Sequence, residues 1–129
     1  MINNYVKGSV LPAPTLKKYN KEHIALIDEI YTLKQVLTLN EIKQIEDIRY
    51  KDIVEKADTF NSFNAINSEK ISIAVEDTFK RLNDIDDNDI NSLVNLAQEL
   101  ALSANAYINI VKKILFLTNA YQILNQKKK

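Results

Sequence analysis

The stretch INSLVNLAQELALSANAYINIVKKILFLTNAYQIL, residues 90–124, decides the fold class. Ile90, Leu93, Ala97, Leu100, Ala104, Tyr107, Val111, Ile114 and Tyr121 recur in it at steps of three and four, which puts them on one side of a helix. Only Thr118 interrupts the run, and the stretch contains neither Gly nor Pro. At 1.5 Å per residue such a helix is a rod of about 52 Å. A compact chain of 129 residues has a radius of gyration of about 14 Å, so it is roughly 36 Å across. The rod overhangs its own domain unless it kinks or another element covers its end.

Composition supports a folded, helical chain. Apolar residues make up 46% and charged residues 26%, the balance of an ordinary globular domain. One Gly and two Pro are too few turn residues for an all-β fold. The abundant Asn, Ile and Lys reflect the codon bias of an AT-rich genome and carry no chemistry. The chain has no cysteine, which excludes a disulfide framework, a thiolate metal site and a cysteine nucleophile. That suits a reducing compartment, and a cytoplasmic location, of the producing cell or of an infected host, is expected. No continuous apolar segment follows Met1, so no signal peptide is expected. The most hydrophobic window, around residues 100–118, holds Lys112 and Lys113, and no transmembrane segment is expected.

The zero net charge is unevenly placed. Residues 1–21 carry four Lys and no acid, residues 22–99 carry eight basic and seventeen acidic side chains, and residues 100–129 carry five Lys and no acid. An acidic body with basic ends suits head-to-tail pairing of copies or steering toward a partner. Lys near a helix C-terminus also suits the macrodipole.

Taken from the start, residues 1–18 read as an extended arm, because Pro12 and Pro14 oppose helix. Tyr5, Val6, Val10, Leu11 and Leu16 make the arm apolar enough to lie against a groove. A helix is expected over residues 19–37, with Ile24, Ile27, Ile30 and Tyr31 as its stripe, Leu26, Leu33 and Leu37 at its flank, and Glu22, Asp28, Glu29 and Gln35 facing away. Thr38 and Glu41 form a capping box that opens a second helix reaching residue 58 or 60. On it, Asp47–Lys51 and Asp52–Lys56 are acid-before-base pairs four apart. Asn and Ser mark residues 61–67 as a loop. A third helix follows to Leu82, with Ile71, Ala74, Val75, Thr78, Phe79 and Leu82 on one face, and Asp87 or Asn88 caps the last. The expected architecture is an all-α antiparallel bundle of about four helices with a long C-terminal helix, divided as arm 1–18, bundle 19–126 and basic tail 127–129.

Few constellations suggest chemistry. Asp84, Asp86 and Asn88 match the first three ligand positions of an EF-hand loop, but Asp89 stands where Gly is needed and Asn95 where the bidentate Glu is needed. The turn reads as a capping turn, and no metal or cofactor is expected. His23, the single histidine, reads as a residue packed at the core edge in preference to a phosphoacceptor, and one histidine makes no zinc site. No nucleophile–base arrangement is visible, so neither an enzyme nor a small-molecule substrate is expected. The first two helices resemble a helix-turn-helix in length, but residues 41–58 carry six acids against four bases and repel phosphate.

The sharper signal lies late in the last helix. Tyr107, Ile108, Ile110, Val111, Ile114, Leu115, Leu117, Tyr121 and Leu124 span roughly 200° of the helical wheel, wider than a surface helix needs. Phe116 and Ile123 fall on the remaining arc among Asn109, Lys112, Lys113 and Asn119. The sequence therefore points to a non-enzymatic protein–protein interaction module (adaptor, assembly subunit, chaperone or inhibitor). Its partner-binding residues are Tyr107, Ile110, Ile114, Phe116, Leu117, Tyr121, Ile123 and Leu124, and the partner is another protein or a second copy. The competing expectation is a lid, with Tyr5, Val6, Val10 and Leu11 folded over that surface. The alternative function is nucleic-acid association through the basic ends.

Overall fold

The computed structural model describes residues 2–14, 18–49 and 60–127. Among these residues the helices are α1 (Ile2–Lys7), α2 (Lys21–Leu33), α3 (Leu39–Arg49), α4 (Phe60–Asn83) and α5 (Ile90–Lys127). The fold is all-α with a long C-terminal helix, as the spacing in residues 90–124 requires.

The first segment departs from the extended reading, since Ile2–Lys7 is helical. The Val10 N–H donates to the Tyr5 carbonyl at 3.1 Å and the Ser9 N–H to that of Val6 at 3.0 Å, while Ser9 sits at φ 61°. This is a Schellman ending, and its left-handed residue turns the chain so that Val10 returns beside Tyr5. Pro12 and Pro14 lie beyond the turn and so do not oppose the helix. Tyr5, Val10 and Leu11 are buried in one cluster with Leu26, Ile30, Leu37 and Ile42. The core therefore sits in the first half of the chain, and α1 is part of it.

α2 starts at a reciprocal cap. The His23 N–H donates to Asn20 Oδ1 at 3.0 Å, and the Asn20 N–H donates to His23 Nδ1 at 3.4 Å. The other ring nitrogen, Nε2, donates to the Ala13 carbonyl at 3.2 Å, fastening the proline segment to the start of the helix. Buried and engaged at both nitrogens, His23 is structural, and a phosphoacceptor role has no access to it. The buried face of α2 is His23, Leu26, Glu29 and Ile30, so Ile24 and Tyr31, expected inside, point out. Glu29, expected outside, is inside. Docking of α1 sets this rotation, because Tyr5 and Leu11 pack on the Leu26–Ile30 side.

α2 ends at Leu33, four residues before the expected Leu37. Thr38 and Glu41 then form the expected capping box, with the Thr38 N–H donating to Glu41 Oε1 at 2.9 Å and the Glu41 N–H to Thr38 Oγ1 at 3.2 Å. The pairs Asp47–Lys51 and Asp52–Lys56 lie outside the described residues, and Asp47 pairs with Lys43. The expected loop at residues 61–67 is corrected, since it forms the opening turns of α4. Phe60, Phe63, Asn64 and Asn67 are partly covered there and α4 abuts α2, so packing overrides the weak helix propensity of Asn and Ser.

α4 and α5 form a hairpin joined by an acidic turn. The cap of α5 is Asp89, not Asp87 or Asn88: it accepts from the Ser92 N–H at 3.1 Å and from the Ser92 hydroxyl at 2.7 Å. Those bonds hold the Asp89 carboxyl below the usual carboxylate range, the hydroxyl contributing most. Near the turn Leu96 is buried, Leu82, Ile85 and Leu93 are half-covered, and Arg81 pairs with Glu99. Farther on the hairpin is bare. Residues 68–77 of α4 and 97–107 of α5 are exposed on every face, so Ile71, Val75 and Phe79, read from the sequence as an inner face, stand in solvent.

Candidate partner-binding surface on α5

Among the described residues, α5 is clasped to α3 along one side. Gln44 Nε2 donates to the Leu115 carbonyl at 2.6 Å, and Lys112 Nζ donates to Glu41 Oε1 at 2.9 Å. Val111 packs against the core, and Ile108, Leu115 and Thr118 on the same side are partly covered. Glu41 thus serves the α3 cap and the clasp at once. Its carboxyl is held below the usual range, first by the Thr38 backbone N–H and then by Lys112. A group with a lowered folded pKa stabilises fully above its unfolded value, about 4.3, and loses that contribution as pH falls through the folded one. Glu41→Gln is therefore expected to flatten the acid limb of the stability curve as pH falls below about 5, read from urea midpoints.

A second side of α5 carries Leu93, Leu96, Leu100, Ser103, Tyr107, Ile110, Ile114, Leu117, Tyr121 and Leu124, alternating by three and four like a coiled-coil seam. Leu96 is taken up by the hairpin turn, at 5% exposed. From Leu100 onward the seam opens: Leu100 is 40% exposed, Tyr107 71%, Ile110 51%, Ile114 56%, Leu117 66% and Leu124 58%. The side chain of Tyr121 lies outside the described residues. Phe116 and Ile123 form a third strip, 73% and 48% exposed. The eight residues expected to bind a partner are thus divided between an open seam and a separate strip, and the wall of Ile108, Val111 and Leu115 lies against α3. The lid expectation is corrected: Tyr5, Val10 and Leu11 are buried in the core while Tyr107, Ile114, Phe116 and Leu117 stay uncovered.

Sequence reasoning missed the opposite wall of this surface. An open groove of about 440 Å³ runs beside the seam, walled by Leu33, Val36 and Ile45 on one side and Ala104, Tyr107 and Ile108 on the other. The signal that could have found it was Val36, an apolar residue in the turn between α2 and α3.

By length and composition alone α5 is long and apolar enough to cross a bilayer, with an 18-residue window of mean hydropathy 1.3. In this fold the same helix is tied to α3 through Lys112 and Gln44.

No curated protein and no solved structure matches the chain. A family model described as a domain of unknown function, DUF1836, matches residues 1–68, just over half of the 129. The match covers α1, α2 and α3, which build the core, and the opening turns of α4, and it stops short of α5. The chain therefore belongs to the DUF1836 family.

Proposed function

We propose that this protein is a non-enzymatic interaction module that docks a protein partner on α5, in the manner of an adaptor or assembly subunit. The observation that carries the reading is the exposure of Tyr107, Ile110, Ile114, Phe116, Leu117, Ile123 and Leu124, at 48–73%, on a helix held in place by α3. Exposed apolar seams of this extent on a folded chain are characteristic of interaction sites. The groups that chemistry would draw on are in structural use: His23 caps α2 and Asp89 caps α5. Lys112, one of the basic groups near the C-terminal end, is engaged by Glu41, which weakens the nucleic-acid alternative.

Phe116→Ala combined with Ile123→Ala tests the reading on side chains whose loss leaves the core untouched. If the strip takes part in docking, association, measured by light scattering and by capture with tagged protein, weakens by about tenfold or more, the cost of truncating contact residues worth more than about 1 kcal/mol together. Unchanged association, with helicity also unchanged, counts against the strip. If Tyr107→Lys with Leu117→Lys also changes nothing, α5 is not the docking helix.

A further inference from the structure

We infer that the partner of α5 is a second copy of this chain, its α5 running antiparallel along the open seam; this rests on the docking role of α5 proposed above. The first support is area. The chain exposes 9876 Å², whereas a compact monomer of 14.8 kDa exposes roughly 7,000 Å². The excess of roughly 2,900 Å² per chain is more than enough for an obligate homodimer, which buries about 2,000–5,000 Å² over both partners.

The second support is self-complementarity. With a two-fold axis between residues 108 and 109, Leu100 meets Leu117 of the second copy and Tyr107 meets its Ile110. In that register four of the open positions, Leu100, Tyr107, Ile110 and Leu117, at 40–71% exposed, meet one another, and Ile114 lies over the small Ser103. The seam lies to one side of the strip clasped to α3, and Leu100, Tyr107, Ile110 and Leu117 stay exposed with the core in place.

The third support is charge. The hairpin turn carries Asp84, Asp86, Asp87 and Asp89, while the far end of α5 carries Lys127 followed in sequence by Lys128 and Lys129. Parallel helices would set acid on acid and base on base. Antiparallel helices in this register bring Lys127 opposite Ile90, beside the acidic turn of the second copy. Such exposed pairs select orientation and register more than they add affinity.

Because the chain has no cysteine, Leu100→Cys and Leu117→Cys each introduce a unique thiol at an exposed position. The unmodified chain is expected to scatter light as twice 14.8 kDa. Under diamide, a mixture of the two variants is expected to form a crosslinked dimer containing one chain of each. Either variant alone is expected to form none, since its two thiols stand about 25 Å apart along the axis. Crosslinking of each variant with itself overturns the antiparallel arrangement. A monomeric mass at tens of micromolar overturns self-pairing, and so does a chain that assembles only on anionic vesicles. A monomer that binds a different protein through Tyr107 and Leu117 overturns self-pairing while α5 survives as a docking helix. A monomer indifferent to substitution at both strips ends both readings.

Discussion

Deletion of residues 2–11 is expected to abolish the cooperative unfolding transition of the α1–α3 core. The deletion removes Tyr5, Val10 and Leu11, which are 1%, 0% and 2% exposed. Burying three such side chains is worth about 5–9 kcal/mol at about 1.5–3 kcal/mol each. A domain of this size is stable by only about 5–15 kcal/mol in total, so the loss is comparable with the whole margin. Leu26, Ile30, Leu37 and Ile42, which pack against these three side chains, would then face water. Circular dichroism against urea reads the outcome. A midpoint within about 1 kcal/mol of the full chain would mean that α1 decorates the core without completing it. A detachable lid would have behaved differently, leaving the transition in place and raising self-association.

Replacing Tyr107 and Leu117 together by Lys is the second large effect. Both side chains are exposed in the single chain, at 71% and 66%, so the change should cost the fold no more than about 0.5 kcal/mol each. At a central position of an interface each is expected to cost about 2 kcal/mol or more, and the pair about 4 kcal/mol, or roughly a thousandfold in dissociation constant. The dimer signal in sedimentation should disappear at concentrations where the unmodified chain is fully associated. Ile24→Lys is the control, since Ile24 is 63% exposed on α2, a different helix, and should leave assembly as it was. If both variants weaken association equally, the effect is added charge and the seam has no special part in it.

The long helix was legible because Leu93, Leu100, Tyr107 and Ile114 repeat without a breaker, and periodicity survives whatever the helix packs against. Thr38 and Glu41 were legible for a similar reason: a capping box closes within four residues and needs no distant partner. Residues 61–67 were misread because Asn and Ser propensities are worth only tenths of a kcal/mol, less than covering Phe60 and Phe63. The rotation of α2 that takes Glu29 in and turns Ile24 out depends on α1, and an element hidden behind two prolines could not announce where it docks. On α5 the apolar excess was legible, but its division was not. Which arc meets α3 follows from Gln44 reaching the Leu115 carbonyl, a contact across 71 positions of sequence.

The bare spans of the hairpin, residues 68–77 and 97–107, have a thermodynamic corollary. Helical segments of about ten residues without tertiary cover are marginal in water. Their order must be lent by the ends that flank them and by whatever lies along them. An occupant that binds only the ordered form draws the equilibrium toward order by mass action. If a second copy is that occupant, the order of the hairpin is expected to rise with chain concentration, whereas the core, packed within one chain, is not expected to respond to it. On that reading one polypeptide joins a unimolecular folding unit to a bimolecular one, and the second reports how crowded the first has become.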